Sequence, residues 1–316
     1  MRRGIPDLPP SPPSTRAERL AAFFLPIAFS LLFVNVNGAS AEWVEWIADA
    51  EVGLVHEDNI NRSAWASNEK KDTSLVPAVS LGRIYQLADA TRLRVTADFE
   101  AAAYDKYDLL NYWKAGAALA LRHKLGVGPD VPWVQARLAG AYMDARDEMR
   151  ESKLYSAGLL AGKRFDERID ARIGYTYDVR DGKDGPVSSP SIPTDVFDQR
   201  AQTVSLDAGY ILADRLLVTA GYAYRYGDTD SACDGENIAT VLAGEDVKAL
   251  ATESAFREPF CVYRLTGRVH SISLSASYSV LKGHGSLNLG FQRSYGKSRS
   301  LDYESGVIRA GFVYSY

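Results

Sequence analysis

The sequence predicts an all-β fold, an antiparallel transmembrane β-barrel of about twelve strands, and three observations predict it. Segments of about ten residues alternate apolar with small or polar side chains from Trp46 to Tyr316. Short turns and longer or charged loops alternate between these segments. Near the N-terminus, one continuous apolar stretch has the layout of an export signal.

Composition alone points elsewhere. The 316 residues carry a net charge of -4, and the mean hydropathy is -0.19 with a pI near 5.7. There is no basic excess for nucleic acid. Beyond the first segment, no run approaches the roughly 20 apolar residues of a membrane helix. A barrel escapes that test, because lipid-facing and lumen-facing residues alternate and their hydropathies cancel on averaging.

The apolar stretch runs from Leu20 to Val36, follows Arg16 and Arg19, and leads to Ala39-Ser40-Ala41, a small-residue cleavage site. Residues 1–41 are therefore expected to be a signal peptide, and residues 42–316 a single barrel domain starting at Glu42. The lack of a Cys at the cleavage site speaks against a lipoprotein. Cys233 and Cys261 then enter an oxidising compartment and are expected to form a disulfide, worth about 3 kcal/mol by restricting the unfolded chain.

The strands follow in order. Trp46 to His56, Leu75 to Tyr85, Arg92 to Tyr104, Tyr112 to Lys124, Pro132 to Met143 and Lys153 to Phe165 make the first half. Ile169 to Val179 sets Ile169, Ala171, Ile173, Tyr175 and Tyr177 against Asp170, Arg172, Gly174, Thr176 and Asp178. Ala201 to Ile211 and Leu216 to Tyr226 repeat the pattern. Arg268 to Leu281 is the clearest: Ile272, Leu274, Ala276, Tyr278 and Val280 take one face, and Ser271, Ser273, Ser275, Ser277 and Ser279 the other. Gly285 to Tyr295 carries Arg293 on its apolar face, which places that residue near a membrane interface. Gly306 to Tyr316 closes the set.

Long or charged connections begin at Glu57, Asp105, Asp144, Arg180, Gly227 and Gly296, while short turns lie near Leu87, Gly126, Asp166, Ala213 and Gly283. With both termini periplasmic, every short turn is periplasmic and every long loop extracellular. The longest loop is expected over Gly227 to Leu265; it holds both cysteines, with a short helix within Asn237 to Phe256.

The final strand ends on Tyr316, after Ile308, Ala310, Phe312 and Tyr314 on the same face. It resembles the C-terminal signature of bacterial outer-membrane proteins. The resemblance implies a porin-like place in the cell outer membrane, contact with its lipid and lipopolysaccharide, and recognition by the barrel-assembly machinery. At the top of the first strand, His56-Glu57-Asp58-Asn59-Ile60-Asn61-Arg62 resembles the D-N-x-N element of barrels linked to surface polysaccharide export and of surface lipoprotein assembly modifiers. The same residues also read as a polar turn favoured by Asp58 and Asn59.

If apolar faces meet lipid, the opposite faces line the lumen. They carry Asp49, Glu51, Asp98, Glu100, Asp170, Asp178 and Asp207 as acids. Arg94, Lys114, Arg122, Arg137, Arg172, Arg225 and Arg309 are the bases. Unpaired charge is costly in lipid and tolerable against water, so a channel whose charges set preference for a small hydrophilic or charged solute is expected; the same groups also read as pairs across the interior that hold a barrel of this size closed. The alternatives are an export or assembly factor for a surface polysaccharide or lipoprotein, and a phospholipase-like enzyme built on His270-Ser271 or His284-Gly285-Ser286 with Asn288. Against the enzyme, neighbouring residues of a strand point to opposite faces. No phosphate-binding glycine loop or metal-spaced His/Cys cluster appears, so no cofactor or metal is expected.

Overall fold

The computed structural model describes residues 42–186, 191–256 and 260–316, so the signal peptide expected over residues 1–41 lies outside the described residues. The first six strands are β1 (Glu42–Glu57), β2 (Asp72–Ala88), β3 (Thr91–Tyr104), β4 (Tyr112–Lys124), β5 (Trp133–Ala145) and β6 (Ser152–Arg164). Then come β7 (Ile169–Gly182), β8 (Gln199–Ala213), β9 (Leu216–Asp234), β10 (Ala249–Glu253), β11 (Phe260–Val280), β12 (Gly285–Lys297) and β13 (Asp302–Ser315). All pair antiparallel in one 13-stranded sheet. Twelve of them close into a ring through β1 on β13 and β9 on β11, while β10 flanks only the upper part of β11. Closure gives each spanning strand a hydrogen-bonded neighbour on both sides and leaves no open edge in lipid.

Each predicted strand is present, and period 2 carries through the middle of each. The register shifts lie at Trp43/Glu45, Gln86/Ala88 and Ile211/Ala213, all near the short-turn end. Inward and outward assignments therefore hold along the spanning segments. The outward face is apolar and unusually bare: Leu54 is 54% exposed, Leu81 55%, Leu274 56% and Leu289 59%. A continuous apolar belt around a closed barrel is a lipid-facing surface. Trp46, Tyr210, Tyr278 and Tyr314 ring its short-turn end, and Trp113, Tyr142, Tyr155, Tyr177 and Tyr295 its other end, as aromatic girdles do. On the inward face of β11, Ser271, Ser273, Ser275, Ser277 and Ser279 stand beside Ser294, Gln292, Gly290, Asn288 and Ser286 of β12, an uncharged strip down one wall.

The longest loop departs from expectation. Instead of a loop over Gly227 to Leu265, β9 and β11 continue as a paired hairpin as far as Asp234 and Phe260. Only Ile238–Gly244 is helical, and β10 follows it. The strands outrun the membrane because other loops take over the role of lipid. One hairpin face, with Cys233, Tyr263 and Leu265, packs with Val241, Leu250, Trp65 and Leu301. The other, with Val262, packs with Met149, Val196, Phe197, Ala249 and Ala251. A second departure is the connection expected to begin at Gly296, which shrinks to residues 298–301 because β12 and β13 run longer than their predicted spans.

Gly227 sits where the hairpin leaves the barrel wall, opposite both Ala201 and Gly267. Its φ is +149°, and a Cβ there would stand 2.4 Å from the Arg200 carbonyl oxygen. Only glycine fits this close approach.

Candidate functional site: a charged lumen beneath a loop cap

Inside the barrel lies a cavity of about 600 Å³. Of the predicted lumenal residues, Asp49, Glu51, Asp98, Glu100, Lys114, Arg137, Asp178 and Arg225 line it. Arg94, Arg122, Asp170, Arg172, Asp207 and Arg309 lie on inward strand positions but outside this cavity. Arg180, Gln199 and Ser80 also line it. The first two fell just beyond predicted strand ends, at Val179 and Ala201, and extending the same alternation by one or two residues places both inward.

Part of the charge is neutralised locally. Lys114 Nζ stands 2.9 Å from Glu100 Oε1, which also accepts from the Tyr112 hydroxyl at 2.8 Å. The Ser80 hydroxyl donates to Asp98 at 2.6 Å, and Thr96 to its other oxygen at 3.1 Å. Arg94, outside the lining, approaches Asp49 of the cavity at 3.6 Å; farther off, Arg172 approaches Asp170 at 3.8 Å, and the Arg122 guanidinium stacks 3.7 Å above the Trp133 ring. Arg180 donates from Nε to Ser152 Oγ and from Nη2 to the Arg150 carbonyl, each at 2.8 Å, and lies 4.5 Å over Phe197. Among the described residues, Arg180 forms no ion pair, and Glu51, Arg137, Asp178 and Arg225 form no hydrogen bond or ion pair through their side chains.

Above the cavity the extracellular loops converge. Arg62, in the loop after β1, meets Asp230 of the hairpin at 2.6 Å, and Arg150, between β5 and β6, meets the fully buried Glu253 of β10 at 2.5 Å. These contacts join loops rooted in strands well apart around the ring, so they cross the mouth. Burial pushes the Asp230 carboxyl up, but the Arg62 guanidinium, the Gln199 amide at 2.9 Å and nearby Arg150 and Arg180 outweigh it and hold the group below the usual carboxylate range. Glu245 follows the same logic at a second tie. Burial raises it, while hydrogen bonds from the Ser300 backbone and the Ser298 and Ser300 hydroxyls draw it down and fasten residues 298–301 to the cap. Cys233 and Cys261 are bonded as expected, directly across the hairpin with Cα atoms 5.1 Å apart.

The D-N-x-N segment is internal scaffolding for this cap. Asn59 is fully buried; its amide donates to the Ser63 and Glu304 carbonyls and its oxygen accepts from the Ser63 backbone. Asn61 bonds Asn68 and Lys70, while Asp58 accepts from Gly306 and from Arg293, the outward arginine at the girdle.

The serine-histidine patterns do not assemble. His270 faces outward and bonds the Tyr222 hydroxyl at 2.8 Å, whereas Ser271 turns inward to Ser294 at 2.8 Å. His284 meets the Ser315 carbonyl at 3.1 Å, and Ser286 accepts from Asn288. Among the described residues there is no group of three side chains that could hold a metal ion.

No protein family model and no curated protein sequence matches the chain. Among solved structures, it is similar to an outer-membrane channel from Pseudomonas putida F1 at 12% identity, over 90% of this chain and 98% of that one, with a TM-score of 0.54. The NanC porin aligns at 7% identity over 84% of this chain and 98% of its own, with a TM-score of 0.46. With its girdled apolar belt and closed ring of twelve strands, the chain has the fold of an outer-membrane β-barrel.

Proposed function

We propose that this protein is a porin-like channel of the outer membrane for a small hydrophilic or charged solute. The observation that carries the reading is the lumenal cavity, lined by charges of both signs of which Glu51, Arg137, Asp178 and Arg225 form no hydrogen bond or ion pair among the described residues. Isolated charges inside a membrane protein persist only where water or a solute meets them. The loop cap makes the channel a gated one, since passage requires the contacts across the mouth to part.

An export signal over residues 1–41 fits this location, and the strand ending at Tyr316 suits recognition by the barrel-assembly machinery. Polysaccharide or lipoprotein export draws no support from the D-N-x-N segment, whose polar groups are spent inside the cap. A catalytic reading lacks a serine bonded to a histidine among the described residues.

Planar-bilayer recording tests the proposal. The folded barrel is expected to show low, flickering current, and Asp230→Asn, which breaks the Arg62 contact, longer openings. Silence from both proteins would overturn the channel reading.

A further inference from the structure

The cavity's charges are sorted by wall. Asp49 and Glu51 stand on β1 and Asp98 on β3, while Arg137, Arg180 and Arg225 stand on β5, β7 and β9. In a ring of twelve, β1 and β7 lie diametrically opposite, so Glu51 and Arg180 line opposite walls of the one cavity. Asp178 shares the basic wall and leaves it with an excess of positive charge over its single carboxylate. Glu100 and Lys114 cancel between the two walls.

The basic wall is also preorganised. Arg180 is fixed by Ser152, the Arg150 carbonyl and the Phe197 ring; Asp230 acts on it through space but forms no ion pair with it, so the guanidinium keeps N–H donors for a solute. A lone anion in this cavity faces the acidic wall, and a lone cation faces the basic one. A solute bearing both charges satisfies both walls together. A neutral sugar has less to bind, because the aromatic residues of the lining, Phe99 and Tyr155, belong to outward strand positions. At about 600 Å³ the volume falls within the range of small-molecule sites.

We propose that this cavity is a binding site for a small zwitterion, its carboxylate against Arg180, Arg225 and Arg137 and its ammonium against Glu51, Asp49 and Asp98. The assignment rests on the channel reading for the solute's passage but not for its binding.

Titration calorimetry on the full folded barrel in detergent micelles tests it with three probes of matched length: 4-aminobutyrate, butyrate and butylammonium. The zwitterion is expected to bind about tenfold more tightly than either single-charge probe, the worth of one added charged contact. Arg225→Gln removes a side chain that forms no hydrogen bond or ion pair among the described residues, and is expected to bring 4-aminobutyrate down to the affinity of butylammonium. Glu51→Gln is expected to bring it down to that of butyrate, and heat-dependent gel mobility verifies that both variants fold. Butyrate binding as tightly as 4-aminobutyrate would overturn the proposal in favour of a plain anion site. If no probe binds although bilayer current persists, the site fails and the channel reading stands.

Discussion

The Arg62–Asp230 contact concentrates much of the cap's electrostatics in one pair 2.6 Å apart. Because the folded Asp230 carboxyl titrates below its unfolded value, its stabilising contribution is complete above the ordinary carboxylate pKa and is lost as pH falls through the folded one. The cap is therefore expected to stay closed at pH 5 and to loosen only in strong acid, which hydrogen exchange over residues 58–63 and 228–232 reads as a function of pH. Asp230→Asn leaves the Arg62 guanidinium without its anion. A cost of about 2 kcal/mol to cap closure is expected, below the figure for a fully buried pair because Arg62 is partly exposed. Faster tryptic cleavage after Arg62, with unchanged heat-dependent gel mobility of the barrel, is the measured outcome. Faster cleavage accompanied by loss of that mobility would place Asp230 in barrel stability instead.

Among the elements, the β9–β11 hairpin is the piece that converts a plain barrel into a capped one. Gly227→Val puts a Cβ against the Arg200 carbonyl and the Ala201 backbone, so it is expected to displace the hairpin and raise exchange across residues 228–265. Cys261→Ser releases a link between residues 28 apart, worth about 3 kcal/mol in chain-entropy terms. Its effect is expected to stay local, because the strands below Gly267 remain paired on both sides. Exchange confined to the hairpin tip, with unchanged barrel melting, checks that. This element also marks the limit of what sequence alone conveys. Where lipid and water face opposite sides of a strand, alternation is unambiguous, and β4 was legible to the residue as Tyr112 to Lys124. Above the membrane, both faces of β9 and β11 are buried by loops, and Asp228, Asp230 and Asp234 read as loop although they are strand residues. The same alternation names the charged residues on the faces away from lipid, and eight of them line the cavity. Which ones share that cavity was not legible, because that depends on height in the barrel and on what the cap covers.

At the scale of the whole molecule, the cap and the cavity act in series. Asp234 and Phe260 are cross-strand partners, so residues 235–259 can be replaced by a two-residue turn without disturbing the register below. That excision removes Glu253 and Glu245, the ties to Arg150 and to residues 298–301, and is expected to raise conductance several-fold while leaving ion selectivity to the walls. Selectivity that shifted with the excision would move the filter from the lumen to the cap. The serine strip on β11 and its polar partners on β12 add a different property. Hydroxyls both donate and accept, so this wall offers a continuous chain of sites that favours no sign of charge. With a solute bound as proposed at the charged walls, water along this strip would keep a path of its own, so osmotic swelling of proteoliposomes is expected to persist in Arg225→Gln and Glu51→Gln barrels even where solute binding is lost.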